Sequence, residues 1–245
     1  MRVLFLGVAG SAPYLNHSLP AIVIDENILL DCGEGVTQAL DRAKILWNIN
    51  YILITHTHAD HVSGLLMLLW RYALEDRNEE LVVMGPLGIR DFIDKMLKNT
   101  NSPIDRILRY LKIKELSPPY EIGKIKVSKA AHTVYSLAFR VENVCYTGDT
   151  APSDNIVKLA RGSELLIHDS TFPPGKEEEA IKEGHSTPLQ AARIACEARA
   201  KRLALFHIPF FFFKDEAFIE NYLKKAREIF KGETFIPSEF YEIEI

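Results

Sequence analysis

Three histidines and an aspartate, His56, His58, Asp60 and His61, stand within six positions directly after the apolar run Tyr51-Ile52-Leu53-Ile54. The run reads as a short buried strand, because apolar, partly β-branched residues are bounded there by polar ones. With 8 histidines in 245 residues, an HxHxDH pattern would arise by chance in about four of 10,000 chains of such composition, so it needs a physical cause. Packing does not supply one, since each polar side chain at a strand end would need its own buried partner. Metal ligation does. Neutral imidazole and carboxylate are ligands for zinc and its borderline neighbours, and strand ends hold them over a crevice.

The spacing adds to the composition. His56 and His58 are two apart in an extended segment and project to the same side, where both can hold one ion. Asp60 and His61, at the turn into a helix, aim elsewhere, so the pattern predicts two ions. A catalytic ion takes about three protein ligands and leaves a position open, and further ligands are therefore expected at other strand ends. His132 after the strand 124–130, Asp149 after the strand 143–147 and His207 after the strand 203–206 occupy such positions.

Around the cluster, strands and helices mix throughout, which predicts α/β layers. Strands are expected at 2–8, 20–24, 28–31, 51–54, 81–84, 112–116, 124–130, 136–141, 143–147, 164–168, 203–206 and 234–236. Helices are expected at 35–47, 62–76, 87–97, 103–111, 154–160, 187–199 and 215–230. No repeat, low-complexity tract or linker divides the chain, so one domain over 1–245 is expected. A hydrophobic share of 47% with 25% charged residues excludes a disordered or fibrous chain. The net charge of −4 announces no global nucleic-acid or membrane binder. No apolar run approaches the length of a spanning helix, and Met1–Ala9 reads as a first strand rather than a signal peptide. Three cysteines outside any CxxC pattern fit the cytoplasm better than a disulfide framework.

The motifs THTHADHVSGL, AAHTV, YTGDT and LALFHIP, in that order, resemble those of the metallo-β-lactamase fold, a two-metal hydrolase family built as a four-layer αββα sandwich. Within it the chain is most similar to the ribonuclease Z group, which processes tRNA 3′ ends. LGVAGSAP, DCGEGVTQ, LIHDSTF and GHST resemble that group's GTGSAxP, DCGEGTQ, LIHEATF and GHST. The resemblance implies that His56, His58, His132 and Asp149 hold one ion, and that Asp60, His61, His207 and a bridging Asp149 hold the other. It also implies a catalytic role for His185, oriented by Asp169, where the group has Glu. Two departures stand out. Residues 133–148 leave no room for the long arm with which short ribonuclease Z proteins grip the tRNA body, and HIPFFFF replaces the group's HFSxRY.

Together these readings predict a phosphodiesterase with two divalent ions, zinc first, with manganese or iron as alternatives. A shared, metal-bridging hydroxide would attack phosphorus, positioned by Asp60, while protonated His185 serves the leaving oxygen. RNA and small or cyclic diesters are both candidate substrates. Sulfatase, lactonase or other carbonyl-hydrolase activity is the alternative on the same ions, and a metal-stabilised RNA-binding module is the alternative without catalysis. Asp31, Glu34 and His17 fit turn hydrogen bonds or substrate contacts equally. The run Phe210–Phe213 fits core packing with a homodimer contact, or an aromatic wall beside His207. Nine lysines and arginines between Lys95 and Lys129 face only three acidic residues, as a solvated face or an RNA-backbone footprint would.

Overall fold

The computed structural model describes residues 1–211 and 216–245. Six strands come first: β1 (Arg2–Gly7), β2 (Ala21–Ile24), β3 (Ile28–Leu30), β4 (Tyr51–Leu53), β5 (Leu81–Pro86) and β6 (Leu111–Leu116). The rest are β7 (Tyr120–Ile122), β8 (Ile125–Lys129), β9 (Leu137–Val141), β10 (Val144–Tyr146), β11 (Leu165–Asp169), β12 (Arg202–Phe206), β13 (Glu233–Phe235) and β14 (Glu242–Glu244). Helices lie between them: α1 (Val36–Arg42), α2 (Ala59–Val62), α3 (Leu65–Leu74), α4 (Ile89–Asn99) and α5 (Ile104–Tyr110) in the first half. The second half holds α6 (Asp154–Ala160), α7 (Glu177–Lys182), α8 (Pro188–Ala198) and α9 (Glu216–Ile229).

Among the described residues the strands form two sheets, ordered β14-β1-β2-β3-β4-β5-β6 and β13-β12-β11-β10-β9-β8-β7. Alternation along each strand explains the layering, since successive side chains point to opposite faces. Leu53, Phe5 and Leu30 of the first sheet meet Phe139, Tyr146, Ile167 and Phe206 of the second in a shared inner core. Ile52 and Val83 face outward onto Leu68 of α3 and Ile93 of α4. Leu203 and Leu205 of β12 face the other way, onto Ala191 and Ala195 of α8 and Ala226 of α9. The result is the expected αββα sandwich. Strands β10 to β13 run parallel and are covered on both faces, which is why LALF and LLI read as continuous apolar runs.

The opening residues form β1 between β2 and β14, with Val3 and Phe5 fully buried, so this segment is a core strand. Among the described residues no helix is long and apolar enough to cross a membrane.

Several boundaries differ from expectation. The helix expected at 62–76 is two helices, α2 and α3, separated at Ser63-Gly64. Gly64 donates its N–H to Cys32 O at 2.9 Å, and a Cβ there would lie 2.1 Å from Gly33 O, so the break lets the DCGEG loop pack against the histidine cluster. The helix expected at 35–47 ends at Arg42, and a single 3₁₀ turn follows at Leu46–Asn48. Strands β7 and β14 and helix α7 were not anticipated. They are three to six residues long, and β14 exists through its pairing with β1 at the other end of the chain.

Candidate metal centre

Each expected ligand follows a strand at the same end of the sandwich. Beyond β4 the chain stays extended through His58, at φ −64° and ψ 150°, and α2 then begins at Ala59. This change of backbone state sends His56 and His58 one way and Asp60 and His61 another. His56 Nε2 lies 3.0 Å from His58 Nδ1, which lies 3.2 Å from His132 Nε2. Asp149 Oδ2 stands 3.6 Å from His56 Nε2 and 3.9 Å from His132 Nε2. Its other oxygen, Oδ1, stands 3.3 Å from His61 Nε2 and 3.4 Å from His207 Nε2. His207 Nε2 is 3.2 Å from His61 Nε2 and 3.0 Å from Asp60 Oδ2. Two four-residue sets therefore meet at one carboxylate.

The surroundings fix the state of these donors. His132 Nδ1 donates to Gly184 O at 2.8 Å, and His61 Nδ1 donates to Asp31 Oδ2 at 2.7 Å. A carbonyl or carboxylate oxygen can only accept, so both Nδ1 atoms carry protons and point Nε2 at the donor sets. Burial opposes charge on His61, but Asp149 and Asp31 raise it well above the ordinary imidazole range, so a bound ion would displace a proton from its Nε2. Burial pushes His56 and His132 below the ordinary imidazole range, so both are neutral, as ligation requires. Burial opposes ionisation of Asp149, but His207 and His61 hold its carboxyl well below the usual range. Asp60 is lowered too, because the His207 hydrogen bond and the neighbouring imidazoles outweigh its burial.

Imidazole nitrogens and carboxylate oxygens crowd together at these distances around two centres, an arrangement that a cation in each would stabilise. Ligands at the usual 2.0–2.1 Å from a tetrahedral ion lie about 3.3 Å apart, close to the separations found here. Asp149 Oδ1 is buried and accepts no hydrogen bond, an orphaned state that a second ion relieves. The donor sets fit two divalent ions.

Asp31 holds both sets in register. It is fully buried and accepts from Tyr146 Oη at 2.7 Å, Thr55 N at 2.7 Å, Thr55 Oγ1 at 2.9 Å and His61 Nδ1. With its proton given to Asp31, Thr55 Oγ1 accepts from His56 Nδ1 at 3.0 Å. One carboxylate thus orients a histidine of each set, directly and through a hydroxyl. Of the two roles open to Asp31, the structure supports the hydrogen-bonding one. Replacing Asp31 by Ala is expected to lower affinity for divalent ions about 10- to 100-fold, read by calorimetric titration of chelator-stripped protein. Unchanged affinity would deny Asp31 this role.

Glu34 is exposed. His17 stacks on Phe210, with ring centroids 4.1 Å apart. Of the two readings of Phe210–Phe213, Phe210 supports core packing, since it packs on His17 and the core. Phe212 and Phe213 lie outside the described residues, and among the described residues Phe172 lines the cavity beside the donor sets. That ring is 6.0 Å from His185 between centroids. The cavity, about 420 Å³, is bounded also by His58, His132, Pro173, Pro209 and Ser11.

The GSAP turn closes the other side. Ser11 N donates to Asp60 Oδ2 at 2.9 Å, and a Cβ on Gly10 would lie 2.4 Å from His207 O. Glycine is required there for the turn to reach the ligand.

His185 sits between Gly184, whose carbonyl orients His132, and Thr187, whose capping box starts α8 at Pro188. Its Nδ1 donates to Asp169 Oδ2 at 2.7 Å. Asp169, at the end of β11, also accepts from Thr150 N at 3.0 Å, Thr171 N at 2.8 Å and Thr171 Oγ1 at 2.7 Å. Burial disfavours charge on His185, but the charge and hydrogen bond of Asp169 prevail and raise it to about 9. Its ring lies 4.9 Å from that of His132 and 5.7 Å from that of His207, so a cation at neutral pH stands beside both donor sets.

Every ligand named above falls within residues 26–208, which match the β-lactamase superfamily domain. Ribonuclease Z of Metallosphaera sedula is 32% identical over 98% of this chain and 97% of the relative. The chain belongs to the ribonuclease Z family of the β-lactamase superfamily. Human tRNase Z, short form, superposes with a TM-score of 0.80 at 26% identity, covering 100% of this chain and 99% of the human one. YhfI from Bacillus subtilis shares the fold, with a TM-score of 0.82 at 24% identity over 99% and 98% of the two chains. The Metallosphaera alignment runs over 300 positions against 245 residues here, so that ribonuclease Z carries segments this chain lacks. Between His132 and Asp149 this family member has only β9 and β10, joined at Glu142-Asn143.

Proposed function

We propose that this chain is a phosphodiesterase that uses two divalent ions, zinc first, to hydrolyse RNA. The observation that carries the reading is Asp149, with one oxygen turned to each of two complete donor sets beside a protonated His185. His56, His58, His132 and Asp149 hold one ion in this reading, and Asp60, His61, His207 and Asp149 hold the other. When bound, such ions lower the pKa of water toward neutrality and offset charge on phosphoryl oxygens. Ionised Asp60, fixed by Ser11 N, orients the attacking water. His185, held protonated by Asp169, delivers a proton to the leaving oxygen. Phe172, Pro173 and Pro209 exclude bulk water from the apolar side of the cavity.

Nitrogen and carboxylate donors without thiolate suit zinc, with manganese and iron next. Unpaired Cys32, Cys145 and Cys196 support a cytoplasmic setting. A homodimer belongs to the same reading, on the apolar run after His207 and the family resemblance. The names of the ribonuclease Z relatives support RNA as substrate, and the 420 Å³ cavity also suits small diesters. Purified metal-loaded protein is expected to turn over bis-aryl phosphate, cyclic nucleotide and RNA with a free 3′ tail. Turnover confined to aryl sulfate or lactone would overturn the assignment, and no turnover at all would favour a binding module.

A further inference from the structure

We propose that the groove between β8 and α6 holds the RNA strand on one side of the scissile phosphate, an inference that rests on the RNA-hydrolysing reading above. The groove encloses about 670 Å³ and is lined by Lys126, Lys129 and Lys158, with Tyr120, Ser128 and Asn155 beside them. Strand β7, which forms its outer lip, is the edge of the second sheet, and β6 is the edge of the first. Lys114 of β6 reaches across to Tyr120, with its Nζ 5.0 Å from the ring centroid, so both sheet edges add positive charge.

The basic stretch seen in the sequence is divided by the fold. Lys95 and Lys98 ride on α4, and Arg106 and Arg109 on α5, whereas Lys126 and Lys129 belong to β8. Three positions apart on β8, they leave opposite faces of the strand. Lys126 shares the groove face with Ser128, while the Nζ of Lys129 lies 5.8 Å from the ring centroid of Tyr135 at the rim. Lys158 is brought opposite by α6. The groove's one carboxylate, Glu121, lies 3.5 Å from Lys126, and both are largely exposed, so this pair yields readily to a phosphate. Arg140 is committed to the carbonyls of Glu142, Leu159 and Arg161 and fixes α6 against β9 rather than binding a ligand.

Continuity with the metal centre points to a strand of substrate. Lys129 precedes ligand His132 by three residues. Ala131 bridges to Ala151, two residues past Asp149, and α6 begins just beyond. One rim, residues 130–133 and 149–153, therefore separates the cavity from the groove. A chain whose phosphate sits at the donor sets and which crosses this rim meets the ammonium groups of Lys126 and Lys158 and the ring of Tyr120, the combination that grips a single strand, with Lys129 at the rim itself. The chain's overall charge is negative, at −4, so this grip is local.

The test is steady-state kinetics of the metal-loaded Lys126→Ala/Lys129→Ala/Lys158→Ala variant on bis(p-nitrophenyl) phosphate and on an RNA hairpin with a single-stranded 3′ tail. Turnover of the small diester is expected within about twofold of wild type, which also certifies folding. KM for RNA is expected to rise about tenfold or more at low salt with kcat nearly unchanged, and the slope of log KM against log salt to fall by about 1 to 2. Lys95→Ala/Lys98→Ala is expected to leave KM unchanged. If wild type cleaves the hairpin and the groove variant keeps both KM and slope, the groove proposal fails. If wild type turns over the small diester but not RNA at low salt, the RNA reading itself fails. Should the triple variant lose small-diester turnover, single Lys126→Glu, on the exposed face of β8, carries the same comparison.

Discussion

Replacing Asp149 by Ala is expected to cost both ions at once and to lower diester turnover by about 100- to 1000-fold, the scale of losing one electrostatic element of a site. The reason is geometric. Oδ2 faces His56 and His132, and Oδ1 faces His61 and His207, so both donor sets lose a carboxylate with the same substitution, and the first loses the one it has. Asp60→Ala removes a carboxylate from one set only, and is expected to weaken one ion while the other stays. Metal content per chain after dialysis distinguishes the two variants. Equal loss from both, or loss of a single ion from Asp149→Ala, would show that Asp149 does not bridge.

His185→Ala is expected to leave metal content and melting temperature nearly unchanged and to cut turnover about 100-fold or more, the range for a general acid. The pH profile carries the sharper test. A proton donor works below its own pKa, and with Asp169 beside it that value is about 9, so wild-type activity is expected to fall as pH rises through that region. In Asp169→Asn the charge that raised it is gone. The alkaline limb is then expected to move down toward the ordinary imidazole value near 6.5. An unmoved limb in Asp169→Asn would separate His185 from the proton transfer, and near-normal activity in His185→Ala would leave it a mere residue before a helix cap.

The residues of the two candidate donor sets were legible in the sequence because each stands where a local pattern ends. His56 and His58 follow β4 in extended backbone, Asp149 follows β10, and His207 follows β12, so strand recognition alone places them at one end of two sheets. Thr187 and Pro188 likewise mark the start of α8 and leave His185 ahead of it. What was not legible depends on partners distant in the chain. Asp31 orients His61 directly and His56 through Thr55, and is itself held by Thr55 and Tyr146, 24 and 115 residues away, and no periodicity near DCGEG reveals this. The break between α2 and α3 comes from the close approach of Gly33 to Gly64. Phe172, which follows Asp169 in the loop after β11 and so borders the cavity, did not stand out in the sequence beside the conspicuous run after His207. The basic stretch appeared as one block because its lysines are close in sequence, whereas the fold sends them to different faces.

The central claim, a two-ion phosphodiesterase, is tested most directly by adding zinc in known equivalents to chelator-stripped protein while following hydrolysis of bis(p-nitrophenyl) phosphate. Turnover is predicted to rise until two ions are bound per chain and then to level off. A plateau at one ion per chain, or no turnover at any loading, would contradict it.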